Sequence, residues 1–155
     1  MKITLVAVGR VRGSLAEAVR EYEERARRYW KLETVEVDSG AGSGRREPES
    51  VLRAEEARIL ARTPPEAKVV ALTRGGQPLG PRAFTSYLED HALNSKDLAF
   101  VVGGAFGLGA TVLTTARQLT LSPMTLPHDI ARLVLAEQLY RAGTILRGEP
   151  YHKGP

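Results

Sequence analysis

Short apolar runs alternate with amphipathic stretches along the chain. The apolar runs predict five strands, and the stretches between them, whose apolar residues recur at helical spacing, predict five helices. The strands are predicted at 2–8, 32–37, 68–73, 98–102 and 118–121, and the helices at 14–30, 48–63, 81–92, 110–116 and 129–146. Strict alternation of this kind predicts an α/β fold, a parallel sheet with helices on both faces. No internal repeat is visible, so we expect a single domain over 1–155.

Local signals refine this outline. Ser14 followed by Glu17 predicts a capping box at the start of the first helix. Charged and apolar residues alternate over 32–37, which favours an edge or half-exposed strand. Segment 38–48, rich in Gly, Ala and Ser, predicts a mobile loop, and 74–78 predicts a glycine-rich loop after the third strand. The second helix is expected to turn these side chains toward the core: Val51, Leu52, Ala54, Ile59 and Leu60.

The stretch 119–129 joins the fifth strand to the last helix through two prolines. The second, Pro127, suits the first turn of a helix, where its missing N–H needs no partner. Ligands of open α/β sheets bind at the carboxyl ends of the strands, and the loops 72–76 and 103–107 are also predicted there. We therefore expect the three loops to converge on one pocket. Small and apolar side chains with free backbone groups suit a mostly uncharged ligand such as an adenine nucleoside. On the residues alone, ordinary connections and tight turn packing remain open.

Composition narrows the function. The chain has no cysteine, which excludes a disulfide, a thiolate metal site and a cysteine nucleophile. The three histidines are far apart in sequence, so we expect no metal site. The net charge of +4 permits a nucleic-acid partner without requiring one. We see neither an apolar run that could span a membrane nor a signal-peptide pattern, and we expect a cytoplasmic protein. Segment 103–109 matches neither the dinucleotide fingerprint nor a P-loop, which disfavours an NAD or ATP enzyme.

Three motifs stand out: Gly-Gly-x-x-Gly-Leu at 103–108, Leu-Ser-x-x-Thr-Leu-Pro-His at 121–128, and Pro-Tyr-His at 150–152. With the segments 5–9 and 139–142 and the length of the chain, they resemble the SPOUT methyltransferases, and among these the ribosomal RNA large-subunit methyltransferase H family. The combination is specific, whereas any one motif alone would be weak.

The resemblance implies an S-adenosylmethionine-dependent enzyme that methylates N3 of a pseudouridine in 23S ribosomal RNA. It also implies a homodimer and a trefoil knot in the C-terminal part. Carried over by position, cofactor binding falls on Leu72, Gly103, Gly104, Ser122, Pro123, Met124, Thr125, Leu126 and Pro127. The candidates for catalysis and RNA contact are His128, Arg141, Tyr151 and His152.

Methyl transfer to an imide nitrogen requires removal of one proton but no protein nucleophile, consistent with the absence of cysteine. His128 or His152 could accept the proton, or Arg141 could stabilise the imide anion. The last predicted helix is apolar on more than one face, which indicates burial on two sides and predicts an active site shared between two subunits.

The substrate and the competing functions stay open at this stage. The modest charge favours the assembled ribosome over naked RNA as substrate, and an RNA role for 38–49 is undecided. The main alternative is a non-catalytic α/β module on the ribosome that binds RNA or a nucleotide. A flavodoxin-like domain is less favoured, because no phosphate loop follows the first strand.

Overall fold

The computed structural model describes residues 1–42 and 44–155, so Ser43, in the predicted mobile loop, lies outside the described residues. Strands and helices alternate in the order β1 (Lys2–Val8), α1 (Ser14–Arg27), β2 (Lys31–Val37), α2 (Pro48–Arg62), β3 (Lys68–Pro78), α3 (Pro81–Leu93), β4 (Leu98–Val102), α4 (Ala110–Thr115), β5 (Arg117–Thr120) and α5 (His128–Leu146). This alternation confirms the α/β prediction. The mobility of the loop stays a prediction.

The five strands form one parallel sheet in the order β2-β1-β4-β3-β5. β2 lies at an edge, as its alternating pattern predicted. The chain moves outward from β1 to β2 on one side and builds β3, β4 and β5 on the other. This reversal of direction between β1 and β4 is a switch point, the place in an open sheet where a ligand cleft forms.

Helices cover both faces of the sheet, which confirms the predicted architecture. On one face Leu5 packs in the same core cluster as Leu135 of α5. On the other face Val6 packs with Ile59 of α2. Successive strand residues point to opposite faces, so a central strand covered on both sides must be apolar throughout, as β1 is. The trefoil knot stays a prediction. None of the helices in the described ranges has the length and apolar character needed to cross a membrane.

The predicted capping box is wrong. Gly13 is the residue before α1 and has a φ of 67°, and no side-chain hydrogen bond caps the helix within the described residues. The left-handed turn at Gly13 brings Ser14 into the helix itself, where its hydroxyl cannot act as the cap. α1 also ends at Arg27, before Trp30, whose indole Nε1 donates a 2.8 Å hydrogen bond to the Leu139 carbonyl.

The predicted loop at 74–78 is also wrong, because this segment belongs to β3. Leu72 and Gln77 both pair with Leu119 of β5, and the residues between them bulge outward before the strand resumes. Gly76 permits this approach, since a Cβ at that position would lie 2.4 Å from the Leu119 carbonyl carbon.

α2 buries a different set of side chains from the one predicted. Leu60 is 45% exposed, so its assignment to the core is wrong. Glu55 is 2% exposed and occupies a core position instead. Val51, Glu55 and Ile59 are spaced four residues apart and therefore share the inner face of the helix.

Candidate active site

A cavity of about 940 Å³ opens at the carboxyl ends of β3, β4 and β5. The bulge within β3 and the loops after β4 and β5 converge on it. The convergence on one cavity was predicted, but the first of the three segments is part of a strand and not a loop. Its volume and its largely apolar and backbone lining are typical of a small-molecule site. The predicted cofactor residues that line it are Leu72, Gly103, Gly104, Thr125, Leu126 and Pro127.

The remaining predicted cofactor residues lie in the same loop, beside this cavity. Ser122 and Met124 line an adjoining cavity of about 80 Å³, and Pro123 lines neither. The Met124 N–H donates to Ser122 Oγ at 3.0 Å, and the Ser122 N–H donates to Thr120 Oγ1 at 3.1 Å. These local bonds fix the loop after β5, and the cofactor role of its residues stays a prediction.

The glycine loop after β4 presents its backbone to the cavity. A Cβ on Gly103 would lie 2.5 Å from the Gly107 carbonyl oxygen, and Gly107 has a φ of 82°. A Cβ on Gly104 would lie 2.8 Å from Glu55 Oε2 of α2. Neither Gly103 nor Gly104 can therefore carry a side chain without movement of its neighbours, and backbone approaches the ligand space instead.

His128 lines the same cavity and is the first residue of α5. Pro127 stands at the N-cap, with φ −54° and ψ 149°, one position before the helical turn in which it was expected. The His128 ring rests on Gly9, where φ is 87° and a Cβ would lie 3.0 Å from Nε2. Nε2 is buried and has no hydrogen-bond partner among the described residues. Buried polar atoms are normally paired, and this nitrogen, packed against Gly9, is an exception.

The other predicted catalytic residues form a separate cluster around Glu137. Arg141 Nη2 donates to Glu137 Oε1 at 2.5 Å, and the Tyr151 hydroxyl donates to the same oxygen at 2.9 Å. Arg141 Nη1 lies 3.2 Å from His152 Nδ1. The hydrogen bond with Glu137 raises the pKa of Arg141 although partial burial opposes it. Burial and the hydrogen bonds with Tyr22 and Glu137 raise the pKa of Tyr151. At neutral pH the cluster therefore holds a cationic Arg141 and a neutral Tyr151.

One chain does not bring these two groups together. His128 begins α5 and Arg141 lies in its last third, so they are separated by about 20 Å along the helix at 1.5 Å per residue. Tyr151 and His152 are held beside Arg141. Within one chain, His128 alone of the four predicted catalytic residues lines the cavity.

Sequence analysis missed part of the cavity wall. Leu113, Gln118 and Ala131 line it from α4, β5 and α5. They lie inside regular elements, and only the strand order brings them together. The sequence did contain a signal for Glu55, which lies behind Gly104. An acidic residue at helical spacing between Val51 and Ile59 is unusual on the apolar face of a helix.

Three exposed arginines lie on the cavity wall or close to it in sequence. Arg74 lines it directly, and Arg10 and Arg12 follow Gly9, the residue on which the His128 ring rests. None of the three forms a salt bridge with another described residue. Their guanidinium groups are therefore available to an anionic partner.

Comparison with known proteins identifies the class of enzyme. A family model described as "Predicted SPOUT methyltransferase" matches residues 1–152. The chain belongs to this family, and it is a methyltransferase that uses a methyl-donor cofactor. The resemblance stated from the motifs is confirmed.

Relatives with the name "Ribosomal RNA large subunit methyltransferase H" match nearly the whole chain. The one from Gemmatimonas aurantiaca is 48% identical over 156 residues, covering 99% of this chain and 100% of the relative. The one from Carboxydothermus hydrogenoformans is 40% identical over 159 residues, with the same coverage. Among solved structures, a probable methylase family protein from Haemophilus influenzae Rd KW20 aligns with a TM-score of 0.54 and 12% identity, over 94% of this chain and 66% of that chain. This last likeness concerns the fold alone.

Proposed function

We propose that this enzyme transfers a methyl group from S-adenosylmethionine to N3 of a pseudouridine in 23S ribosomal RNA, on the assembled ribosome. The observation that carries the proposal is the cavity at the strand ends, with His128 on its wall. The names of the relatives specify methylation of large-subunit ribosomal RNA. The methyltransferase family disfavours the alternative of a non-catalytic binding module.

The residues around the cavity fit an adenosyl cofactor. Gly103 and Gly104 have no room for side chains, so their backbone groups line the space. Leu72 and Leu126 supply apolar walls, and the prolines stiffen the loop after β5. When bound, S-adenosylmethionine supplies an electrophilic methyl group. The protein binds and orients the reactants and manages the proton.

His128 is the proton acceptor in this proposal. The imide nitrogen of a pyrimidine must lose its proton to become a strong nucleophile, and a histidine on the cavity wall can accept it. His152 is the other candidate, and it would come with Arg141 from the distant cluster, where its Nδ1 lies 3.2 Å from Arg141 Nη1. Arg141, fixed by Glu137, is suited to stabilise the negative charge that develops on the imide.

A second copy of the chain supplies the distant cluster. Because His128 and Arg141 are about 20 Å apart along α5, both can act on one nucleotide only if they come from different subunits. Ile130, Val134, Glu137 and Arg141 share one side of α5 by their spacing, and each is only partly buried. Two-fold pairing through this face would bring the cluster of one subunit to the cavity of the other.

The charge at the cavity mouth fits an RNA substrate. Arg10, Arg12 and Arg74 are exposed, and Arg is the side chain best shaped to bind phosphate in a bidentate manner. We place the enzyme in the cytoplasm, where ribosomes are assembled.

Transfer of labelled methyl groups tests the proposal. The protein is incubated with methyl-labelled S-adenosylmethionine and ribosomes that lack the modification, and the labelled nucleoside is identified by mass after digestion. We expect N3-methylpseudouridine, more of it from ribosomes than from naked RNA, and little from His128→Ala. Label in a different nucleoside would contradict the proposed target. Binding to ribosomes without any label would favour the non-catalytic module.

A further inference from the structure

Glu55 is a buried carboxylate that the proposed reaction does not use. Its Oε1 accepts hydrogen bonds from Ser39 Oγ and from the Gly40 N–H, both at 3.1 Å. Its Oε2 is buried and has no partner among the described residues. Both oxygens face Gly104, at 2.9 Å and 2.8 Å from the position that a Cβ would take there.

Packing alone does not explain this residue. Removing a carboxylate from water is costly unless a cation or a full set of hydrogen bonds compensates. No described cation forms a salt bridge with Glu55, and its inner-face neighbours on α2, Val51 and Ile59, are apolar. The hydrogen bonds to Oε1 hold the segment after β2, but they leave Oε2 uncompensated, so the charge itself calls for an explanation.

The cavity lies on the other side of Gly104. Gly104 lines it, and the carboxylate touches the same residue from behind, so one residue of backbone separates the charge from the ligand space. Arg74, which lines the cavity, is exposed, and water screens its charge. Arg58, whose Nη1 donates to the Asp38 carbonyl at 2.9 Å, is also exposed and screened. The negative field of Glu55 therefore extends into the cavity.

We infer that Glu55 makes the cavity selective for a cationic ligand, so that the sulfonium cofactor is favoured over its neutral thioether product. The inference rests on the proposed function, in which S-adenosylmethionine carries a positive charge and S-adenosylhomocysteine does not. Glu55 acts through space and contacts neither molecule. The role is one of discrimination between substrate and product.

The size of the effect follows from Coulomb's law. Two unit charges about 10 Å apart, at an effective dielectric constant of about 20, change a binding constant by roughly tenfold. We therefore expect Glu55→Gln, which keeps the shape and an acceptor oxygen, to lower the preference for S-adenosylmethionine over S-adenosylhomocysteine by roughly tenfold. The affinity for the neutral product should change little.

Glu56→Gln is the matched control. Glu56 is the next residue on α2 and also supports the glycine loop, since its Oε2 accepts a 3.0 Å hydrogen bond from the Val112 N–H. A Cβ on Gly109 would lie 2.2 Å from this oxygen. Because its role is to hold the loop, Glu56→Gln should shift both affinities alike and leave their ratio unchanged.

Calorimetric titration of both ligands into the wild-type protein and the two variants decides the matter. A tenfold lower ratio in Glu55→Gln alone supports the inference, and an unchanged ratio overturns it. If Glu55→Gln does not fold, the wild-type protein is titrated with an adenosyl analogue that carries an amine in place of the sulfonium. This cation should bind more tightly than S-adenosylhomocysteine, and equal affinities would overturn the inference. Binding of none of these ligands to the wild-type protein would refute the proposed cofactor itself.

Discussion

Arg132 stands between two carboxylates at the centre of the contact between α1, β2 and α5. Its Nε donates to Glu23 Oε1 at 2.8 Å and its Nη1 donates to Glu36 Oε1 at 2.7 Å. Burial acts against its charge, but the hydrogen bonds with Glu23 and Glu36 outweigh this and raise the pKa of Arg132. The perturbation of interest is Arg132→Met, which keeps much of the length and removes the charge.

Most of the expected loss of stability comes from the pair between Arg132 and Glu23. The side chains of Arg132 and Glu23 are only 8% and 6% exposed, and removing one partner of a buried pair costs about 3–5 kcal/mol. The side chain of Glu36 is 37% exposed, so its pair contributes less than about 1 kcal/mol. Arg27, 3.6 Å from Glu23, remains as a partial partner. We therefore expect about 3 kcal/mol of destabilisation, the low end of the range.

Trp30 offers the assay. It is the single tryptophan of the chain, 8% exposed, and its indole is bonded to α5, so its fluorescence reports the loss of this contact. Denaturant unfolding at fixed protein concentration gives the free energy of unfolding. A destabilisation of about 3 kcal/mol corresponds to a decrease of roughly 6–12 °C in Tm for a chain of this size.

The double variant Glu23→Leu with Arg132→Met is the control. Replacing both members of a buried pair by apolar groups is often close to neutral, so the double variant should regain most of the stability. A loss below about 1 kcal/mol in Arg132→Met, or no recovery in the double variant, would refute the reasoning.

Three further perturbations probe other parts of the structure. A Cβ on Gly143 would lie 2.2 Å from Tyr29 Cγ, so Gly143→Ala should destabilise the protein by about 1–3 kcal/mol in spite of its better helix propensity, as measured by denaturant unfolding. Burial, followed by the hydrogen bond with Glu149, raises the pKa of Tyr29 from 10.0 to about 12. The stability that the neutral hydroxyl supplies is therefore complete below pH 10, the pKa in the unfolded chain. It is lost as the pH rises through about 12. The stability difference between wild type and Tyr29→Phe should therefore shrink over this range in unfolding curves. Replacing Arg10 and Arg12 by Ser should weaken ribosome binding and lower its salt slope by about 1–2 units.

Each of these has an outcome that contradicts it. A Gly143→Ala protein as stable as wild type would show that Tyr29 can move away from α5 at no cost. A constant difference for Tyr29→Phe up to pH 12 would mean that the hydroxyl titrates alike in the folded and unfolded chain. Arg62 and Lys96 are exposed at the opposite end of the sheet, and their replacement by Ser is the control for charge. If the control variant lost ribosome binding to the same extent, a specific role of Arg10 and Arg12 in binding would be contradicted.

The sequence predicted the parts of the fold that depend on local pattern. β1 is apolar at nearly every position because it is central and covered on both faces, and β2 alternates because it is at an edge. The second half of β3 was missed because Gly75 and Gly76 have the composition of a turn. Only the approach of Leu119 turns this segment into a paired strand.

The candidate site was predictable as loops but not as a set of contacts. The motifs placed Gly104 and His128 near a ligand, and the structure brings both to one cavity. Glu137 links Arg141 and Tyr151 only because the chain folds back after α5. The spacing of apolar residues predicts the helix but not the path of the chain that follows it. The spacing of Glu55 between Val51 and Ile59 indicated its buried position, but its contact with Gly104 depends on how α2 packs against the glycine loop.

The central claim is that one active site is built from the cavity of one subunit and the Arg141 cluster of another. Its most direct test is a heterodimer, made by co-expressing His128→Ala and Arg141→Ala chains with different tags and purifying on both. In a shared arrangement, one of its two sites joins two mutated residues and the other joins two intact ones. The account predicts about half the wild-type methyl transfer from the heterodimer, and almost none from either homodimer. A heterodimer as inactive as the homodimers, or a fully active monomer, would contradict it.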